Sequence, residues 1–442
     1  MINSIVTTPR YFRGIICFVS LLALHLFAGY DTPTNATAEL ERLRQQAQTA
    51  RASNNHPASL DAVLKIRKLL NDAPRAVEDT ARIYTESGDT AHALAALEEF
   101  VDLGQTDENL LAGQNKAFSA LEKLPAYQSI LKRMAENKTS VSHAEQALTI
   151  PDPGLVAEDI DYDAQSKSFL ITSILEKKII RLTSDGKTTD FAQSPSHWPM
   201  LAIKIDVAHK LVWATEVALD GFTAAPQSDW GHSAVLCYDL ATAALRSRIE
   251  GPPHAALGDM VLTRDGIPIV SDGDGGGIYR VSGTKLERID KGDFISPQTP
   301  VMHPDGKHLF VPDYLRGIGI LDLASGKTTW LAPQQKYALS GIDGLYFADS
   351  ALFAIQNGTS PERVIRFQLN STADQIISEQ LIERSTPALG DPTHGVVVGD
   401  SFYYIANSGW DVLDDHGDLK AGAKMTSARI MRFELRKAAR TK

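Results

Sequence analysis

Glu158, Gln298, Asp343 and His394 occupy one recurring position of a repeated strand pattern, so their side chains could converge on a single small object. Two carboxylates and an amide oxygen suit a hard divalent cation, Ca²⁺ first and Mg²⁺ next. The imidazole of His394 shifts this donor set toward Zn²⁺ or Mn²⁺, or serves as a general base beside the metal. Asp259 and Asp159 lie one step further along their strands and add two more carboxylates. The plainer reading of the same residues is a wet polar channel in which they satisfy backbone groups and water.

The elements that would position them are strands. After Thr139 helical periodicity stops, and β-branched runs bounded by Asp-Gly, Ser-Asp and Gly-rich turns begin. Six hairpins follow, at residues 160–173, 203–215, 260–271, 300–312, 345–356 and 396–407. Each leads to a third strand. Four of these read apolar–Arg–apolar, at residues 178–182 (KIIRL), 278–281 (IYRV), 364–367 (VIRF) and 430–433 (IMRF). The other two, at 235–240 (VLCYDL) and 318–323 (IGILDL), carry Asp instead. The spacing is that of propeller blades, roughly 40–50 residues. Small sheets of this kind bury both faces only by stacking radially. Aligning the hairpins puts Glu158, Leu201, Gly258, Gln298, Asp343 and His394 at one mouth of a central channel. Little chain remains after residue 435 for a fourth strand in the last blade, so residues 147–150 (ALTI) are expected to supply it and close the ring.

Glu158, Gln298 and the run Asp343-Gly344-Leu345 resemble the ligand positions of the senescence-marker-protein/gluconolactonase/luciferin-regenerating-enzyme family. The resemblance covers about residues 145–435. It implies a six-bladed propeller that holds one divalent metal in its channel and hydrolyses sugar lactones or related esters. Glu158, Gln298, Asp343 and Asp259 would hold the ion, and Asp343 or His394 would move the proton. The chain departs from the family pattern in three ways. Gly258 stands where a ligand Asn is expected, with Asp259 beside it; Gln298 replaces a second Asn; His394 is not a standard ligand.

Two loops are longer than the others, at residues 216–232 and 408–427. Both join second to third strands and open on the mouth that holds Glu158. Trp230 with His232, and Trp410 with His416, give each loop an aromatic face that could stack on a sugar ring or another flat ligand; covering exposed strand edges is the other use for them. Residues 272–277 (DGDGGG) look like a fragment of a cation loop but lack its closing Glu, so they read as a turn. Asn35, Asn137, Asn357 and Asn370 begin glycosylation sequons. A serine nucleophile is not indicated, since no G-x-S-x-G occurs.

Ahead of the strands, residues 36–139 have helical spacing, with Leu40, Leu43 and Ala47, then Leu60, Val63 and Leu64, on common faces. Residues 81–103 resemble the helix–turn–helix of a tetratricopeptide repeat, and residues 118–134 form a shorter pair broken at Pro125. Either a docking surface for a protein partner or a spacer packed on the propeller fits this segment. Residues 1–35 carry Arg10 and Arg13 before the apolar run 14–29, the pattern of a secretory signal or an N-terminal anchor. The expected location is therefore periplasmic or secreted, with membrane contact only if the segment is uncleaved. The 442-residue chain carries a net charge of −10, which argues against nucleic acid as a partner.

Two functions compete at this stage. One is a metal-dependent hydrolase acting on a small-molecule lactone or ester. The other is a non-catalytic propeller, a binding module or scaffold with a helical docking segment.

Overall fold

The computed structural model describes residues 35–435. The expected signal or anchor lies outside the described residues, among which no helix is long and apolar enough to cross a membrane.

Six helices come first: α1 (Ala36–Ala52), α2 (His56–Leu69), α3 (Pro74–Glu86), α4 (Thr90–Asp102), α5 (Glu108–Leu111) and α6 (Pro125–Glu136). Their starts follow from sequence. Asn35, Asn55, Asp89 and Asp107 each cap a helix through a side-chain oxygen, while Pro74 and Pro125 fill first-turn positions where a missing N–H costs nothing. The turn between α3 and α4 is the Ser-Gly-Asp of the repeat-like motif, with Gly88 at φ +79°. Leu40, Leu43, Ala47 and Val63 are buried as their spacing predicts, whereas Leu64 faces solvent.

The described strands form six sheets arranged as blades, five of four antiparallel strands and one extended to six by Val141–Ser142 and the parallel Ala332–Pro333, with innermost strands Ala157–Asp163, Met200–Asp206, Leu257–Leu262, Val301–Met302, Gly344–Ala348 and Gly395–Val398. Each pair of neighbouring blades shares its own apolar cluster. Leu170 and Ile179 of blade one meet Ile203 and Leu236 of blade two, and Ile160 and Ile171 meet Ile405 and Ile430 of blade six. Burying one such side chain stabilises by about 1.5–3 kcal/mol, and every blade does so on both faces.

Closure of the ring follows the expected route. Glu145–Thr149 pairs antiparallel with Arg429–Glu434, so the strand that enters the propeller completes its last blade. The preceding Val141–Ser142 pairs with the outer strand of blade five. Ile150, just past the closing strand, is fully buried between blades six and one. Ile150→Ala is expected to destabilise the protein by about 2–5 kcal/mol, read as a lower denaturant midpoint of the β-sheet signal.

Polar residues near the ends of second strands pin the loops at the mouth. Asp272 accepts from Ala256 N (2.9 Å), Asp313 from Ile295 N (2.6 Å), and Glu216 from the Ser194 hydroxyl (2.6 Å). The run 272–277 is thus a turn whose Asp272 also receives Gly275 N at 2.8 Å. The helices dock on the same mouth over blades three to five. Ile295 and Leu315 enter the apolar cluster of α1–α3, and Ala338 enters that of α3–α6. Arg316 stacks on Trp330 and donates to Leu69 O at 2.8 Å, satisfying a carbonyl at the end of α2.

Candidate active site at the channel mouth

The start of each innermost strand delivers a side chain to the axis. Glu158, Asp259, Asp343 and His394 all arrive there, and all are buried, His394 at 1% and Asp343 at 2% exposure. His394 Nε2 lies 2.5 Å from Asp259 Oδ1, and its Nδ1 lies 2.9 Å from the carbonyl oxygen of Glu158. A carbonyl oxygen only accepts, so Nδ1 carries a hydrogen; the carboxylate holds a second proton at Nε2. Burial works against the charged ring, but the carboxylates of Asp259, Asp159 and Asp343 outweigh it and push the imidazole well above its ordinary value. In this pairing both ring nitrogens of His394 donate, which sets it as a proton donor; general-base duty is one of two roles its sequence position allows, metal binding the other.

The acids are held at defined atoms. Trp410 Nε1 donates to Glu158 Oε2 at 2.6 Å, and Asn357 Nδ2 donates to Asp343 Oδ2 at 2.8 Å. Thr299, next to Gln298, donates to Asp259 Oδ1 at 2.6 Å. Gln298 reaches the mouth, but its amide nitrogen bonds Ser296 within its own loop. Asp159 pairs with Lys204 at 2.7 Å. Burial pushes Glu158 up to about 7, with His394 and the Trp410 N–H pulling the other way. Burial also raises Asp343 well above the carboxylate range, against the charge of His394 and reinforced by Glu158.

Of the two uses open to the tryptophan loops, stacking on a ligand and covering, their contacts fit the second. They join each other over the mouth: Thr223 N donates to His416 O at 2.8 Å, His416 Nδ1 lies 3.0 Å from Gly221 O, and the rings of Phe222 and Trp410 are 5.6 Å apart. Trp410 is buried and occupied with Glu158, so it presents no open stacking face. Trp230 packs with Trp198, Ala218 and Ala225 in a cluster of its own, and His232 lies over Trp198. Sequence reasoning missed Lys204, Tyr314 and Asn357. Asn357 was visible only as the start of a sequon, because its link to Asp343 needs the tertiary fold.

The donor set suits a hard divalent ion in kind. Of the four buried acids, Asp259 is paired with His394 and Asp159 with Lys204, while Glu158 and Asp343 are held by the neutral donors Trp410 and Asn357. Glu158 and Asp343 have no cationic partner of that kind among the described residues and burial raises both, so a divalent cation would take the place of their protons. An ion would have to draw these groups inward. Among the described residues, the triplet of His, Cys, Asp or Glu whose ligand atoms already lie within 4.8 Å of one another is His303, Asp305 and His308, in the turn after the innermost strand of blade four.

A pH dependence follows. An acid raised in the folded state binds protons that the unfolded chain has lost, so it lowers stability as pH rises from its unfolded value to its folded one. Glu158 acts this way between pH 4.5 and about 7. The stabilisation from His394 is complete below its unfolded value and fades as pH rises through its folded one, so both effects have the same sign. Without added metal, the melting temperature of wild type should fall more between pH 5 and pH 8 than that of Glu158→Gln, by the equivalent of about 3 kcal/mol.

No protein-family model matches this chain, and no curated protein does. Several solved structures are similar. A luciferin-regenerating enzyme is 16% identical, with a TM-score of 0.46 over 66% of this chain and 95% of that one. A gluconolactonase from Xanthomonas campestris is 13% identical, with a TM-score of 0.45 over 64% and 88%. Regucalcin from Agrobacterium tumefaciens, a calcium-binding protein, is 17% identical, with a TM-score of 0.44 over 67% and 98%. The strand pairing stands on its own beside these likenesses: the chain is a six-bladed β-propeller preceded by a helical segment.

Proposed function

We propose that this protein is a hydrolase of a lactone or small ester, acting at the mouth where Glu158, Asp259, Asp343 and His394 converge. The observation that carries this reading is the convergence of buried acids, Glu158, Asp259 and Asp343, around one buried imidazolium. Burial raises Glu158 and Asp343, a sign of the free energy it costs to place acids there, which a fold without use for them would shed. A divalent cation, Ca²⁺ or else Mg²⁺, Mn²⁺ or Zn²⁺, held by Glu158, Asp259 and Asp343, would polarise the substrate carbonyl. Asn357 fixes one oxygen of Asp343, which leaves the carboxylate oriented to take a proton from the attacking water. His394, charged against Asp259, is placed to return a proton to the leaving alkoxide. Water adds to the carbonyl carbon, the C–O ester bond breaks, and one acid and one alcohol result.

The test is a panel of neutral lactones and aryl esters, each with Ca²⁺, Mg²⁺, Mn²⁺, Zn²⁺ or EDTA. Turnover that EDTA abolishes supports the reading; no turnover with any ion sinks it. The closed mouth favours a second reading, a non-catalytic propeller that docks a protein through its helices. No bound metal, with capture of one partner that is lost on changing the α3–α4 surface, would put that reading first. We also place the protein outside the cytoplasm on the basis of Arg10, Arg13 and the apolar run that follows them; cell fractionation checks this.

A further inference from the structure

A cavity of about 560 Å³ lies between the helices and the propeller, at the rim of the same mouth. Its helical wall includes Glu78 of α3 and Asp107, the cap of α5; its propeller wall includes Tyr314 and Asn357. Asn357 belongs to both the cavity and the candidate centre. Its Oδ1 accepts from Tyr314 at 2.9 Å, and its Nδ2 holds Asp343 at 2.8 Å. A molecule in the cavity is therefore separated from Asp343 by one side chain. Neither the helices nor the propeller could form this space alone.

The charge of the lining is one-sided. The wall carries Glu78, Asp107, Glu108 and Glu362 against one base, Arg75; behind it Lys138 pairs with Glu108 at 2.7 Å and Arg82 acts on Glu78. Glu78 and Asp107 are hydrogen-bonded carboxyl to carboxyl, and burial together with that partner pushes Glu78 up to about 7. Such a wall repels a carboxylate or phosphate and attracts a cation. An ammonium group carries three donors and can serve both carboxylates in place of the proton they share.

We propose that this cavity holds the amine end of the substrate, with Asn357 as its boundary to the bond-breaking groups, and that its helical wall selects lactones or esters bearing a protonated amine. The proposal rests on the hydrolase reading for the word substrate, and on the cavity for the amine. Selection then belongs to the helical segment, while the bond-breaking groups belong to the propeller.

The probes are α-amino-γ-butyrolactone and its uncharged parent γ-butyrolactone, compared by calorimetric binding and by hydrolysis on the full chain. The aminolactone is expected to bind at least tenfold more tightly. Glu78→Gln combined with Asp107→Asn should erase the difference. Arg75→Ala, at an exposed position, should widen it severalfold, and it keeps the test decisive if the double variant folds poorly. Tight, charge-dependent binding of the aminolactone without hydrolysis of either probe would uphold the amine pocket and remove the hydrolase reading alone. Equal binding of the two lactones, binding of neither, or a preference untouched by these substitutions would overturn the proposal, even if neutral lactones are hydrolysed.

Discussion

Asp343→Asn is expected to lower kcat on any lactone that the wild type hydrolyses by a factor of about 10²–10³, or roughly 3–4 kcal/mol, with KM little changed. The substitution keeps the shape of the side chain. Its carbonyl can still accept from Asn357, so the fold at the mouth is retained. What is lost is a charge whose value appears as the carbonyl takes on negative charge, and an interaction felt only in the transition state acts on kcat. Unchanged kcat would mean that chemistry, if any, occurs elsewhere. Trp410→Phe belongs to the same class. From sequence Trp410 is a stacking face, and its loss should raise KM. Its indole N–H instead fixes Glu158, so loss of that donor should act chiefly on kcat. Steady-state kinetics on the two variants separates these expectations.

His394→Ala should be among the most destabilising single changes in the propeller, by about 3–5 kcal/mol in chemical unfolding at pH 7. It leaves Asp259 buried without its cation and the Glu158 carbonyl with one donor, Thr393 Oγ1, in place of two. The double variant His394→Ala/Asp259→Asn should recover part of the loss, because the orphaned charge is then absent. Strictly additive losses would show that the two groups are not coupled, and the charge account of the mouth would fall with them.

The ring was legible because propeller blades repeat. A hairpin followed by an apolar–Arg–apolar strand leaves a pattern that one sequence displays against itself, and residues 178–182 and 430–433 are copies of it. The closing strand was legible by elimination, since too little chain remained after residue 435. The mouth residues followed from alignment of the hairpins. Their partners did not. Nothing local ties Trp410 to Glu158, 252 residues away, or His394 to Asp259, 135 residues away. Gln298 shows the limit from the other side: its position in the pattern is right, but a serine two residues earlier takes its amide. Leu64 kept helical spacing yet lies on the solvent face, because periodicity marks a stripe without stating what covers it. The helices' place over the mouth rests on contacts such as Arg316 to Leu69, which have no signature in either segment.

The closing strand has a consequence for the order of folding. Glu145 and Arg432, 287 positions apart, are bonded to each other, so the blade they share cannot exist until nearly the whole chain is available. During synthesis Glu145–Thr149 emerges early and must wait, unpaired, for Arg429–Glu434. A contact of such long sequence separation carries a large loop-closure cost, which slows the step that makes it. Completion of the circle is then expected to come late in maturation, so substitutions at the Glu145–Thr149 seam should slow the last refolding phase. A chain truncated before residue 429 keeps two raw strand edges, one on either side of the gap, and each is a template for another molecule.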